Sequence, residues 1–153
     1  MSHGADLSAL VIAIGNRLRA DDGVGHHVAD LLDPMPGVTL LRVHQLTPEI
    51  AAGMQSAETV IFLDADPGAD VPSLDRIAEP AEGGGPFSHS MNPATLVALS
   101  ARLYGFRGEA WLCRLYARDF SASPEISPEA AAHLQEGARL VQQLLEARCT
   151  SRP

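Results

Sequence analysis

The feature that most constrains this chain is a hydrophobic period that keeps changing. Four short, nearly continuous apolar runs stand at residues 7–14 (LSALVIAI), 38–43 (VTLLRV), 59–63 (TVIFL) and 110–115 (AWLCRL). Unbroken apolar runs of this length suit strands covered on both faces. Between them lie segments with helical spacing. Residues 24–32 place Val24, Val28, Leu31 and Leu32 on one face and are closed by Pro34 and Pro36. Residues 48–54 read as a short helix, with Thr47 as N-cap and Pro48 at the first position. Residues 93–104 follow Asn92, a candidate N-cap. Residues 129–147 follow Ser127-Pro128-Glu129 and align Leu134, Ala138, Val141 and Leu145. A weaker strand falls near residues 74–78, and Gly83–Pro86 reads as a mobile loop. Alternating strands and helices predict an α/β fold, a three-layer sandwich whose mostly parallel, twisted sheet of about five strands carries helices on both faces.

With 153 residues the chain has the length of one domain, 1–153. Nineteen acidic residues against eleven basic ones give a formal charge of -8, a poor match to a phosphate backbone, so nucleic acid is not an expected partner. All the basic residues are arginine. That excludes a Walker-type lysine, a Schiff base and a lysine general base together. Two cysteines, Cys113 and Cys149, make neither a disulfide scaffold nor a thiolate zinc site. No apolar run is long enough to span a bilayer and the N-terminus lacks a secretory pattern, so the cytoplasm is expected, with no membrane partner.

In parallel sheets ligands bind beyond the carboxyl ends of the strands. Three segments with chemistry fall there. After the first strand comes Gly15-Asn16-Arg17-Leu18-Arg19-Ala20-Asp21-Asp22-Gly23-Val24-Gly25. One acid before a helix can simply complement its dipole. Two adjacent acids repel each other, which favours a functional pair. Carboxylates here and the missing G-x-G-x-x-G spacing argue against a dinucleotide. Asp64 ends an apolar strand, where it either caps the following turn, with Asp66 beside it, or meets a cation. His89, in Phe87-Ser88-His89-Ser90, is either a solvated loop histidine or a ligand. His26 and His27, adjacent in one helix, read as surface or edge residues, and His44 ends the second strand near the same edge. Asp22, Asp64 and His89 together offer two carboxylates and one imidazole, a donor set that suits Zn, Ni or Mn. A Ser-His-Asp hydrolase is disfavoured by the absence of G-x-S-x-G.

The order of Gly15-Asn16-x-Leu18-x-x-Asp21-Asp22-Gly23-Val24-Gly25, Asp64-Ala65 and Ser88-His89-Ser90 resembles the nickel–iron hydrogenase maturation endopeptidases over nearly the whole chain. The resemblance implies a peptidase, aspartic-type or metal-assisted. Its partner is the hydrogenase large-subunit precursor, from which it removes a C-terminal extension after nickel insertion. It also implies that Asp22, Asp64 and His89 contact a nickel carried by the substrate, with Cd or Zn able to substitute in crystals. Asn16, Asp21, Gln45 and Glu49 are then expected to contact the substrate. His44-Gln45-Leu46-Thr47-Pro48-Glu49, Leu103-Tyr104-Gly105 and Ala110-Trp111-Leu112 resemble the branch serving bidirectional NAD(P)-linked hydrogenases. Two other classes use the same residues: a metal-dependent hydrolase of a small molecule, and a non-catalytic module that binds nickel or the precursor.

Overall fold

The computed structural model describes residues 7–78 and 91–150. The chain runs β1 (Ala9–Ile14), a 3-10 turn (Ala20–Gly23), α1 (Val24–Asp30), β2 (Val38–Val43), α2 (Ile50–Gly53) and β3 (Thr59–Asp66). It continues through β4 (Ser73–Arg76), α3 (Pro93–Tyr104), β5 (Glu109–Tyr116) and α4 (Pro128–Thr150). The sheet order is β2-β1-β3-β5-β4. Strands β1, β2, β3 and β5 are parallel, and β4 is antiparallel at one edge. The expected three-layer α/β sandwich is present, and the strand order, which no local pattern encodes, is new information.

Side-chain alternation along the central strands divides the core in two. Val11, Ala13, Ile61, Leu63, Cys113 and Leu115 face Val24 and Val28 of α1 and Ala138, Val141 and Leu145 of α4. Leu10, Ile12, Val60, Phe62 and Ala110 face Ala51 of α2 and Leu96 and Val97 of α3. All six residues of β1 are buried, as their apolar run requires, whereas β2 lies at the edge and is largely open. No helix among the described residues is long and apolar enough to cross a membrane.

Two helices are shorter than their spacing predicts. Around Pro48 the amides of Ile50 and Ala51 bond back three residues, to Thr47 and Pro48, so the segment turns before it becomes helical and Glu49 takes the N-cap position. Helix α1 ends at Asp30, with Leu31 as its C-cap, before the prolines. Asn92 caps α3 as expected, its Oδ1 accepting the Thr95 amide at 2.8 Å. The expected loop at Gly83–Pro86 lies outside the described residues.

One glycine determines how closely α1 meets the sheet. A Cβ on Gly25 would stand 2.7 Å from the Leu63 carbonyl and 2.9 Å from that of Ile14, the carboxyl ends of β3 and β1. Both obstacles are backbone and cannot rotate away. We therefore expect Gly25→Ala to destabilise the protein by about 1–3 kcal/mol, as overpacking does, measured as a lowered urea midpoint.

Candidate functional site

The two adjacent carboxylates after β1 have opposite surroundings. Asp21 has no exposed surface. Its oxygens accept the amides of Arg118 (2.9 Å), Asp119 (3.0 Å) and Ser127 (2.7 Å), and the Ser127 hydroxyl (2.8 Å). Burial alone pushes its pKa up, but these donors outweigh burial and hold the carboxyl below its ordinary range. Expected among the substrate contacts, Asp21 instead latches the turn after β1 to the loop after β5 and to the start of α4.

Asp22 points the other way. Its Oδ2 accepts the Asn16 amide at 2.9 Å. Gly15, at φ +136°, lets the chain pass so close that a Cβ would meet the Asp22 carbonyl at 1.9 Å. Asn16 Oδ1 in turn accepts the Leu18 amide at 2.8 Å. Asn16 therefore shapes the loop that presents Asp22.

Asp64 occupies the carboxyl end of β3, next to β1. Burial raises its pKa most, and the nearby Asp22 charge and, less, that of Asp66 raise it further, to about 6, against the opposing hydrogen bond from the Ala65 amide. Arg114, its register partner on β5, turns to Asp66 (3.7 Å) and Asp75 (2.7 Å). Among the described residues no guanidinium reaches Asp64. The structure thus brings Asp22 close enough to Asp64 for its charge to act there, with no arginine between them among the described residues. His89 lies outside the described residues, and among those described no group of three His, Cys, Asp or Glu converges in a metal-holding cluster.

Gln45 is exposed beyond β2. The Thr47 hydroxyl beside Glu49, with Glu49's own amide, holds that carboxyl below its usual range, so Glu49 helps shape the turn into α2. His44 is exposed at the end of β2.

The structure corrects the reading of His26 as a surface residue. It is 6% exposed, and its Nε2 lies 2.8 Å from the Gly15 carbonyl. A carbonyl only accepts, so Nε2 carries the proton and donates. The Arg42 guanidinium donates to the His26 carbonyl (3.2 Å) and to Asp30 (2.6 Å), and Arg17 joins Asp30 at 3.0 Å. This network supports the site loop from beneath. Its members are scattered over residues 15–42, and no single motif signals it. Cys113 is fully buried, and burial pushes its thiol up to about 12, which removes it as a nucleophile.

The environments of Asp21 and Asp64 predict opposite responses. Asp21 has a lower pKa folded than unfolded, so its ionised form stabilises the fold above about pH 4 and that contribution fades as pH falls further. Asp64 has a higher pKa folded, so ionising it costs stability as pH rises from about 4 through about 6. We expect Asp64→Asn to raise stability at pH 8 by up to roughly 2–3 kcal/mol, and Asp21→Asn to lower it. Urea titrations at pH 5 and pH 8 check both signs.

No protein-family model and no curated protein matches the chain. Solved structures do. The hydrogenase-maturating endopeptidase HybD from E. coli superposes with a TM-score of 0.67 at 16% identity, over 92% of this chain and 93% of that one. The [NiFe] hydrogenase maturation protease HycI from Thermococcus kodakarensis gives 0.67 at 21%, over 95% and 96%. A hydrogenase 2 maturation peptidase from a Thaumarchaeota archaeon gives 0.62 at 24%, over 91% and 98%. Matched nearly end to end in each case, the chain has the fold of these hydrogenase maturation endopeptidases.

Proposed function

We propose that this protein is a nickel–iron hydrogenase maturation endopeptidase, which cuts the C-terminal extension from the large-subunit precursor once nickel has been inserted. The observation that carries this reading is the Asp22 carboxylate, in the turn after β1, acting on Asp64 near the end of the adjoining β3, with Asp64 raised to about 6 and lacking a neutralising arginine among the described residues. A pair kept in that state destabilises the fold, and such costs concentrate at functional sites. The shared fold supports it, as does the resemblance of the Gly15–Gly25 and Asp64-Ala65 segments to that family.

With a pKa near neutrality Asp64 can take a proton from an attacking water and return it to the leaving amine. Asp22, oriented by the Asn16 amide, supplies the second carboxylate. Nickel enters as part of the substrate. Two carboxylates, joined by His89 on the strength of its motif, offer O and N ligands to an incompletely coordinated ion in the precursor. Binding through that ion would align the scissile bond with Asp64, so proximity would supply much of the rate. The NAD(P)-linked hydrogenase branch, supported by the segments at His44–Glu49 and Leu103–Gly105, and a cytoplasmic location are the finer parts of this proposal.

The test is a gel assay of purified precursor with and without nickel, using chelator-treated protein. The nickel-loaded precursor should shorten and the nickel-free form should not. Cleavage should rise as pH passes through about 6, where Asp64 ionises, and Asp64→Asn should reduce it at least about 100-fold. Equal cutting of both precursor forms would contradict nickel gating, and no cutting of either would contradict the peptidase reading.

A further inference from the structure

Directly after β1 the chain leaves the sheet through a peptide group that is hydrogen-bonded on both sides. The Gly15 carbonyl accepts the His26 Nε2–H at 2.8 Å. The Asn16 amide, the other half of the same peptide, donates to Asp22 Oδ2 at 2.9 Å. A trans peptide is planar, so its C=O and N–H point in opposite directions. The imidazole therefore stands on one side of this unit and the Asp22 carboxylate on the other. Rotating the plane to loosen one bond loosens the other as well. Hydrogen bonds in such a chain also polarise one another, so a donor on the carbonyl makes the amide a better donor to the carboxylate.

The neighbouring elements fix the remaining freedom of this unit. The Gly15 amide donates to the Val43 carbonyl at 3.0 Å, which ties its near side to β2. Gly25 lets α1 approach the ends of β1 and β3, and the next residue, His26, thereby reaches the Gly15 carbonyl. On the far side of the ring, Nδ1 faces the Arg42 Nη1 at 3.5 Å. A guanidinium only donates, so Nδ1 is left as the acceptor and Nε2 keeps the proton. His26 and Gly15 are both buried, which keeps water from competing for the carbonyl. An apolar ring could fill the same space. Only a donor at this atom completes the chain from imidazole through peptide to carboxylate.

We infer that His26 is a positioning residue for Asp22, acting through the Gly15–Asn16 peptide. Its effect on cleavage rests on the endopeptidase reading, whereas the hydrogen-bond chain itself does not.

The experiment compares full-length wild type with His26→Phe, which keeps an aromatic ring and loses the donor, and with His26→Gln, whose amide nitrogen replaces Nε2 as donor. His27→Phe is the control, since the His27 Nε2 is buried with no hydrogen-bond partner among the described residues. Two quantities are read: the NMR shift of the Asn16 amide proton without substrate, and kcat and KM for nickel-loaded precursor. His26→Phe should move the amide proton upfield and lower kcat about tenfold with KM little changed, as loss of a supporting hydrogen bond does. His26→Gln should recover both, and His27→Phe should leave kcat as it was. Should His26→Phe fail to fold, His26→Leu removes the donor with less bulk. The wild-type ring gives a further check without any variant: its nitrogen shifts at pH 8 should report the Nε2–H tautomer, and the Nδ1–H tautomer overturns the proposal. An Asn16 amide that does not move in the donorless variant also overturns it, as does wild-type kcat, a change confined to KM, or an equal loss in His26→Gln. A wild type that leaves the precursor whole overturns the endopeptidase reading, and the amide shift then still decides the role of His26.

Discussion

The site depends on one buried carboxylate. Asp21 has no exposed surface, and its burial is tolerated only because four donors, from Arg118, Asp119 and Ser127, converge on it. These bonds join segments 97 to 106 residues apart. They close the carboxyl edge of the sheet by connecting the turn after β1 to the loop after β5 and the first turn of α4. Asp21 points inward and is fixed, while the Asp22 carboxylate accepts the Asn16 amide and lies near enough to Asp64 to raise its pKa.

Fold and chemistry therefore meet in a contrast between neighbours. At Asp21 donors outnumber the cost of burial, and the charge holds the structure together. At Asp64 burial and the Asp22 charge act in the same direction, and no arginine intervenes among the described residues. The same edge of the sheet contains one carboxylate whose ionisation stabilises and one whose ionisation destabilises. The second kind is the more useful for moving protons near neutral pH.

Much of the architecture was legible because it is local. The apolar runs of β1 and β3, the Asn92 cap and the amphipathic face of α4 are written in consecutive residues, and each formed where its pattern placed it. The short helix at Ile50–Gly53 was overdrawn because Pro48 and Glu49 take a turn that propensity does not register. At the site, Asp22 and Asp64 could be singled out one by one. Their convergence follows from β1 and β3 being neighbours in the order β2-β1-β3-β5-β4, which depends on long-range pairing. The role of Asp21 was hidden for the same reason, since its donors lie about a hundred residues downstream. His26 was misread because its acceptor is a backbone carbonyl, which leaves no mark in the sequence.

The central claim is that Asp22 and Asp64 form one electrostatic unit. Its most direct test is a ¹³C NMR titration of the Asp64 carboxyl in wild type and in Asp22→Asn. The account predicts a midpoint at about 6 in the wild type, moving down when the Asp22 charge is removed, because burial and the weaker Asp66 repulsion remain but the Asp22 repulsion is gone. A midpoint near 4 in both proteins, the value of an ordinary solvated aspartate, would contradict it.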